Sequence, residues 1–333
     1  MTDSSRMRAA LLERAGSPFR LASLPRPEPG AGEVLLRIAA SGVNPLDVKI
    51  SEAAAPHARQ ALPAVLGLDA AGTVEAVGAG VTGHRPGDAV YGMVGGVGGH
   101  QGTLAEFICA DADLLAPKPA ALSMREAAVL PLIFITAWEG LVDRAAVRPG
   151  QTVLIHGGAG GIGHVAIQLA KALGAEVFAS GSARSRETID RLGAGFIDYG
   201  AETVEDYVRR CTGGAGFDVV YDTAGGPTLD ASFQAIRRFG HVVSALGWGT
   251  HALAPLSFRG GSYSGVFTLL PLLTGEGRRH HGEILREATK LAEAGKLRPL
   301  VDGRRFTLES VGDAYRAMKE RAASGKLVVE IAA

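Results

Sequence analysis

The sequence predicts an α/β fold in two parts, a β-rich part early in the chain and a doubly wound parallel sheet in its middle. Three observations carry that prediction. Residues 7–120 hold β-branched runs separated by Pro and Gly clusters. From about Ser123 onward, strand-like and helix-like segments alternate, as a parallel sheet wound by right-handed crossovers requires. A glycine-rich turn, "HGGAGGIG" (156–163), joins a strand pattern to a helix pattern.

The elements follow in order. "EVLLRIAASGV" (33–43) and "AAGTVEAVGAGV" (70–81) read as strands, "RPGDAVYG" (85–92) as a turn and short strand, and "MVGGVGGHQG" (93–102) as a loop. The segment 123–145 reads as helical pieces opening with the capping box Ser123-x-x-Glu126. "RPGQTVLIHGG" (148–158) is a turn and a buried strand. Helices are then expected at "HVAIQLAKALG" (164–174), "SRETIDRLG" (185–193), "VEDYVRRC" (204–211) and "DASFQAIRRFG" (230–240). Strands are expected at "AEVFAS" (175–180), "GFIDY" (195–199), "FDVVYDTAGG" (217–226) and "HVVSALG" (241–247). Helical stretches at 279–295 and 309–323 and a strand "KLVVEI" (326–331) close the chain.

Composition bounds the function. The 333 residues suit two domains, and 47% hydrophobic with 20% charged residues suit a globular protein. The 34 basic and 34 acidic residues cancel, so no broad positive field recommends nucleic acid or a membrane surface as partner, and a small-molecule enzyme is expected. Cys109 and Cys211 lack ligand-like spacing and read as ordinary thiols of a reducing compartment. "MTDSSRMRAALL" has no signal-peptide core, and the apolar run Ala127–Trp138 is short and interrupted by Pro131. A cytoplasmic location is expected.

Gly158-x-Gly160-x-x-Gly163, after a strand and opening a helix, is a dinucleotide loop, with Ala159, Gly161 and Ile162 completing the turn. The first glycine permits the turn, the second a close approach to a pyrophosphate, and the third helix–strand packing. An NAD-selective site would carry Asp or Glu at the end of the next strand. Here Ser180-Gly181-Ser182-Ala183-Arg184-Ser185-Arg186 offers small hydroxyls and two arginines, which suit a 2′-phosphate, so NADPH is the expected cofactor.

Taken together, "GVNPLDVK" (42–49), "PAVLGLDAAGTVEAVG" (63–78), "GDAVYG" (87–92), "TAWEGL" (136–141), the 153–175 segment and "FDVVYDTAGG" resemble the medium-chain dehydrogenase/reductase superfamily, in its zinc-independent quinone oxidoreductase (zeta-crystallin-like) branch. The resemblance implies a Rossmann domain (127–266) inserted in a GroES-like β-rich domain (1–126 plus 267–333). It implies cofactor contacts at Thr136, Ser182, Tyr199, Ala224, Gly225, Leu246 and Gly247, a cleft between the domains, and a homodimer joined at the Rossmann sheet edge. Where zinc-dependent relatives carry ligands this chain has Asn44, Leu68 and Leu132, so no metal is expected. The implied chemistry is NADPH-dependent reduction of quinones or α,β-unsaturated carbonyls. An alcohol dehydrogenase-like enzyme and a non-enzymatic NADPH-binding protein are the rival readings. Asn44 is expected to contact substrate or nicotinamide, and Asp47 to anchor its loop or act in catalysis. Lys49, Tyr91, a cofactor hydroxyl or water is left as proton donor. His156 is expected to orient the glycine turn and Trp248 to cover a flat substrate or pack. Tyr315-x-x-x-Lys319 mimics a short-chain dehydrogenase pair but lies too far past the glycine loop to serve as one.

Overall fold

The β-branched runs of the first part pair as their alternation requires. Glu33–Gly42 lies antiparallel to Asp69–Val77, which pairs in turn with Ala89–Met93. The computed structural model describes residues 5–331. They divide into two units, one taking the chain up to Leu132 and again from Leu269, the other Ile133–Thr268.

In the first unit these strands belong to a seven-stranded sheet that the C-terminal strand Val328–Glu330 joins, antiparallel to Ser41 and its neighbours. A three-stranded sheet of Arg20–Pro25, Arg6–Leu12 and Ala64–Val65 accompanies it. The Ser123/Glu126 box forms, with the Glu126 carboxylate accepting from the Ser123 amide at 2.9 Å, and starts helix Met124–Ala128. That helix packs tightly on the long strand: a Cβ at Gly42 would stand 2.3 Å from the Ala128 carbonyl oxygen.

The second unit is a six-stranded, fully parallel sheet. Its order is Gly195–Asp198, Glu176–Gly181, Thr152–His156, Phe217–Asp222, Ile236–Ser244, Ser262–Gly265. The chain starts in the middle and winds outward in both directions, so the order reverses beside the first strand, where such folds bind ligands. Leu154, Ile197, Phe217, Val220 and Phe233 form part of its core.

Two local departures from the sequence reading have physical causes. The helix expected over 230–240 spans Pro227–Ala235, and Ile236 already opens the next strand. Pairing with the Phe217 strand, through a register shift between Phe217 and Val219, overrides the helical pattern. Phe239 then takes a left-handed φ of 61° with its amide bonded to the Arg259 carbonyl. The helix Pro131–Trp138 also widens into a π turn over Glu139–Arg144. There the Tyr221 hydroxyl donates to the Thr136 carbonyl at 2.6 Å, and its ring lies where a Cβ of Gly140 would stand, at 2.6 Å.

Candidate functional site

The glycine turn is a phosphate cradle in shape. Strand Thr152–His156 ends at Gly157, whose φ of 74° a side chain would strain, and helix Gly161–Ala172 begins after Gly160. A Cβ on Gly158 would meet the Ala179 methyl at 2.6 Å, and one on Gly163 the Gly157 carbonyl oxygen at 2.1 Å. Glycine is therefore required by packing. The first-turn amides of a helix have no intrahelical acceptor and form its positive end, so this turn fits a pyrophosphate.

The neighbouring strand, Glu176–Gly181, ends without a carboxylate through Arg186. Ser180 is buried and its hydroxyl pairs with His156 Nδ1 at 2.8 Å. Ser182 sits 3.3 Å from the Ser185 hydroxyl, and Tyr199 is exposed. The two arginines differ: Arg186 lies over the Phe196 ring at 4.3 Å, whereas Arg184 is exposed and has no ion pair among the described residues.

The later loops are tied to strand ends. Asp222 Oδ1 accepts from the Ala224 and Gly225 amides at 3.0 and 2.9 Å, and Oδ2 accepts from the Ser244 hydroxyl at 2.8 Å. The Ser244 oxygen accepts from the Leu246 amide at 3.0 Å. Leu246 is half-buried, and Gly247, beside it, is exposed. Thr136 is buried on its helix, its hydroxyl 3.0 Å from that of Thr268. Asp222 and Ser244 escaped the sequence reading; the signal that could have found them is a polar residue closing a buried apolar strand. Trp248 is 55% exposed, with Phe267 edge-on at 6.5 Å, so its indole packs at the surface and not in the core.

In the first unit Asn44 and Asp47 sit in a buried framework. Asn44 precedes helix Pro45–Ser51 and has no exposed surface. Its amide nitrogen donates to Asp69 Oδ2 at 2.9 Å, while its amide oxygen accepts from the Lys326 ammonium, which also donates to the Val43 carbonyl at 2.9 Å. Asp69 Oδ1 accepts from the Leu132 backbone amide at 3.0 Å. Asp47 accepts from the Asn44 backbone amide at 2.7 Å, anchoring the loop, and its Oδ1 is buried without a hydrogen bond. Asn44 and Asp47 are both buried, so in this structure neither side chain is exposed to solvent. Tyr91 is buried and donates to the Leu285 carbonyl at 2.7 Å, and burial pushes its phenol far up. Lys49 alone of the four is exposed.

Burial dominates the electrostatics here. It raises Asp47 to about 8, with Asp69 raising it further and Lys326 opposing; it raises Asp69 to about 6, again against Lys326. The Lys326 ammonium is pushed down by the same burial and supported by both carboxylates. Leu68 is fully buried, and among the described residues no three His, Cys, Asp or Glu side chains converge as a metal site would need. Tyr315 is buried against Phe19, while Lys319 pairs with Glu52 at the surface, so that pair is not a unit.

The chain matches the family descriptions "Alcohol dehydrogenase GroES-like domain" over residues 30–120 and "Zinc-binding dehydrogenase" over residues 192–329. It is 58% identical to an alcohol dehydrogenase superfamily protein of known structure from Novosphingobium aromaticivorans, covering 98% of this chain and 100% of that one at a TM-score of 0.96. It is 34% identical to a chloroplastic NADPH-dependent alkenal/one oxidoreductase of Arabidopsis thaliana, covering 91% of this chain and 73% of that one. With the quinone oxidoreductase of Coxiella burnetii it shares 29% identity and a TM-score of 0.82, over 98% and 100% of the two chains. The chain spans only 14–15% of the length of the first curated relatives it matches.

Proposed function

The chain belongs to the medium-chain dehydrogenase/reductase superfamily, in its zeta-crystallin-like branch, and from that premise we propose that it is an NADPH-dependent, metal-free reductase of quinones or α,β-unsaturated carbonyls. The carrying observation is the glycine cradle beside a strand end that offers Ser182 and an unpaired Arg184 where an NAD site needs a carboxylate. NADPH, when bound, supplies a hydride. The chain's own part is to hold the phosphates on the first-turn amides of helix Gly161–Ala172, and the 2′-phosphate on Arg184 with Ser182 and Tyr199 beside it. A quinone or enone delocalises the incoming charge itself, so it needs less electrophilic help than an alcohol needs to ionise. Asn44, Leu68 and Leu132 support the metal-free reading, since none is a strong zinc donor. With Tyr91 buried, exposed Lys49, a cofactor ribose hydroxyl or solvent is left to supply the proton to the reduced product.

The test is NADPH oxidation with 1,4-benzoquinone, 9,10-phenanthrenequinone and a simple enone, set against ethanol and propan-2-ol oxidation with NADP⁺. Faster alcohol oxidation, or activity lost on prolonged chelation, would reject the reading. NADPH should bind at least tenfold tighter than NADH, about 1.4 kcal/mol. Arg184→Ala should remove most of that preference and Arg186→Ala less, because Phe196 already holds the second guanidinium. A dimer is proposed as well. Ser262–Gly265 is an edge strand, and Phe239 and Phe258 nearby are 80% and 83% exposed. Light scattering at monomer mass would end that idea.

A further inference from the structure

Four polar residues stand in one row across the parallel sheet. Ser180 is in register with His156, His156 with Asp222, and Asp222 with Ser244. Residues in register on neighbouring parallel strands project to the same face about 4.8 Å apart, so the four side chains form a line across four strand ends. All are buried, from 0% exposed at Asp222 to 4% at His156. The surrounding strand residues, such as Val153, Leu154, Val220 and Val242, are apolar and equally buried.

Each member reaches a loop. The His156 carbonyl accepts from the Thr223 hydroxyl at 2.6 Å, and its ring holds Ser180. The Ser180 carbonyl accepts from the Gly158 amide of the glycine turn at 2.9 Å. Asp222 holds Ala224 and Gly225; Ser244 holds Leu246 and is itself held by Asp222. Burial keeps the imidazole uncharged, lowering it to about 4 against the pull of Asp222. The Asp222 carboxylate is therefore stabilised by three hydrogen-bond donors, two amides and one hydroxyl, and not by a cation among its hydrogen-bond partners. A buried carboxylate in this state is costly unless every donor is aimed at it. That demand fixes the loops that supply the donors.

We propose that Ser180, His156, Asp222 and Ser244 form a positioning row that fixes the three loops around the glycine turn before any cofactor binds. The proposal rests on reading those loops as the dinucleotide site. None of the four is a catalytic residue; the Asp222 and Ser244 side chains act through the amides of Ala224, Gly225 and Leu246, while Ser180 and His156 pair side chain to side chain and meet Gly158 and Thr223 through their backbone carbonyls. The row lowers the ordering cost of binding, so its loss should appear in affinity and not in the hydride step.

The experiment uses the full chain with Asp222→Asn and Ser244→Ala. In the cofactor-free protein, amide hydrogen exchange at Ala224, Gly225 and Leu246 should accelerate at least tenfold in Asp222→Asn, with the amides of Val219–Tyr221 still protected. The dissociation constant of NADPH and its KM should rise at least tenfold, with kcat changed less than threefold. Unchanged exchange at the three loop amides, or a fall in kcat with KM unaltered, would overturn the proposal. If exchange accelerates while even the unaltered chain fails to bind NADPH, the row stands and the cofactor reading falls. Should Asp222→Asn not fold, Ser244→Ala decides the matter: the Leu246 amide should exchange at least threefold faster, and unaltered exchange there rejects the row.

Discussion

Around Asn44 the first unit buries two carboxylates, an ammonium and an amide, whereas around His156 the second unit buries one carboxylate, an uncharged imidazole and two hydroxyls. The first cluster balances charge with charge, Asp69 against Lys326, and holds Asp47 protonated up to about pH 8. The second uses aimed dipoles to hold a single charge, Asp222. Charge pairing leaves a large penalty when one partner is lost, because the other remains buried and uncompensated. Dipole solvation spreads the same duty over three donors, so the loss of one removes only part of it. The first arrangement suits a rigid frame. The second suits loops that must be held in place and still admit a ligand.

The largest expected effect breaks the charge pair. Lys326→Met should destabilise the protein by about 3–5 kcal/mol in urea unfolding, since Asp69 loses its compensating charge. A loss under about 1 kcal/mol would show that the first cluster is not charge-balanced.

Next comes pH, where the two units differ in sign. Asp47 holds its proton to about pH 8 when folded but releases it near its ordinary value of 3.8 when unfolded. Between those values the folded chain binds more protons, so stability from this group falls as pH rises from about 4 to 8. His156 behaves oppositely: folded it titrates near 4, unfolded near 6.5. The unfolded chain then binds more protons across that window, and stability from His156 rises with pH up to about 6.5 and is complete above it. Asp47→Asn should flatten the high-pH arm, because an amide cannot ionise and the folded chain no longer binds the extra proton. His156→Asn should flatten only the low-pH arm. Unfolding midpoints at half-unit pH steps separate the two; an unchanged profile in Asp47→Asn would contradict the burial account.

The smallest effect is in the second unit. Ser244→Ala should cost about 1–3 kcal/mol, because Asp222 keeps its two backbone donors but loses the hydroxyl on Oδ2, and the Leu246 amide loses its acceptor. Matching losses in Ser244→Ala and Lys326→Met would erase the distinction between the units.

Much of the fold could be read directly. Apolar patterns located Glu33–Gly42 and Asp69–Val77 and five of the six strands of the parallel sheet, the Ser123/Glu126 spacing gave a helix start, and the glycines at 158, 160 and 163 located the cradle. The site was harder to read. Asn44 reads from sequence as a contact to substrate or nicotinamide, and nothing local announces that Lys326, 282 residues later, donates to its side-chain oxygen. Tyr91 looked available in "GDAVYG" and is covered by the helix Arg278–Glu293, which supplies its acceptor at Leu285.

What the sequence determined by itself is whatever depends on neighbours a few residues apart: strand and helix periods, capping, the glycine turn, and the lack of a carboxylate from Ser180 to Arg186. Those are set by local sterics and by each side chain's own chemistry. The tertiary structure decided which polar groups share one buried space, joining Asn44 to Asp69 and Lys326, and aligning Ser180, His156, Asp222 and Ser244 in one register. Protonation and reach follow from that sharing, because the cost of a buried charge depends on donors and counter-charges brought in from distant parts of the chain.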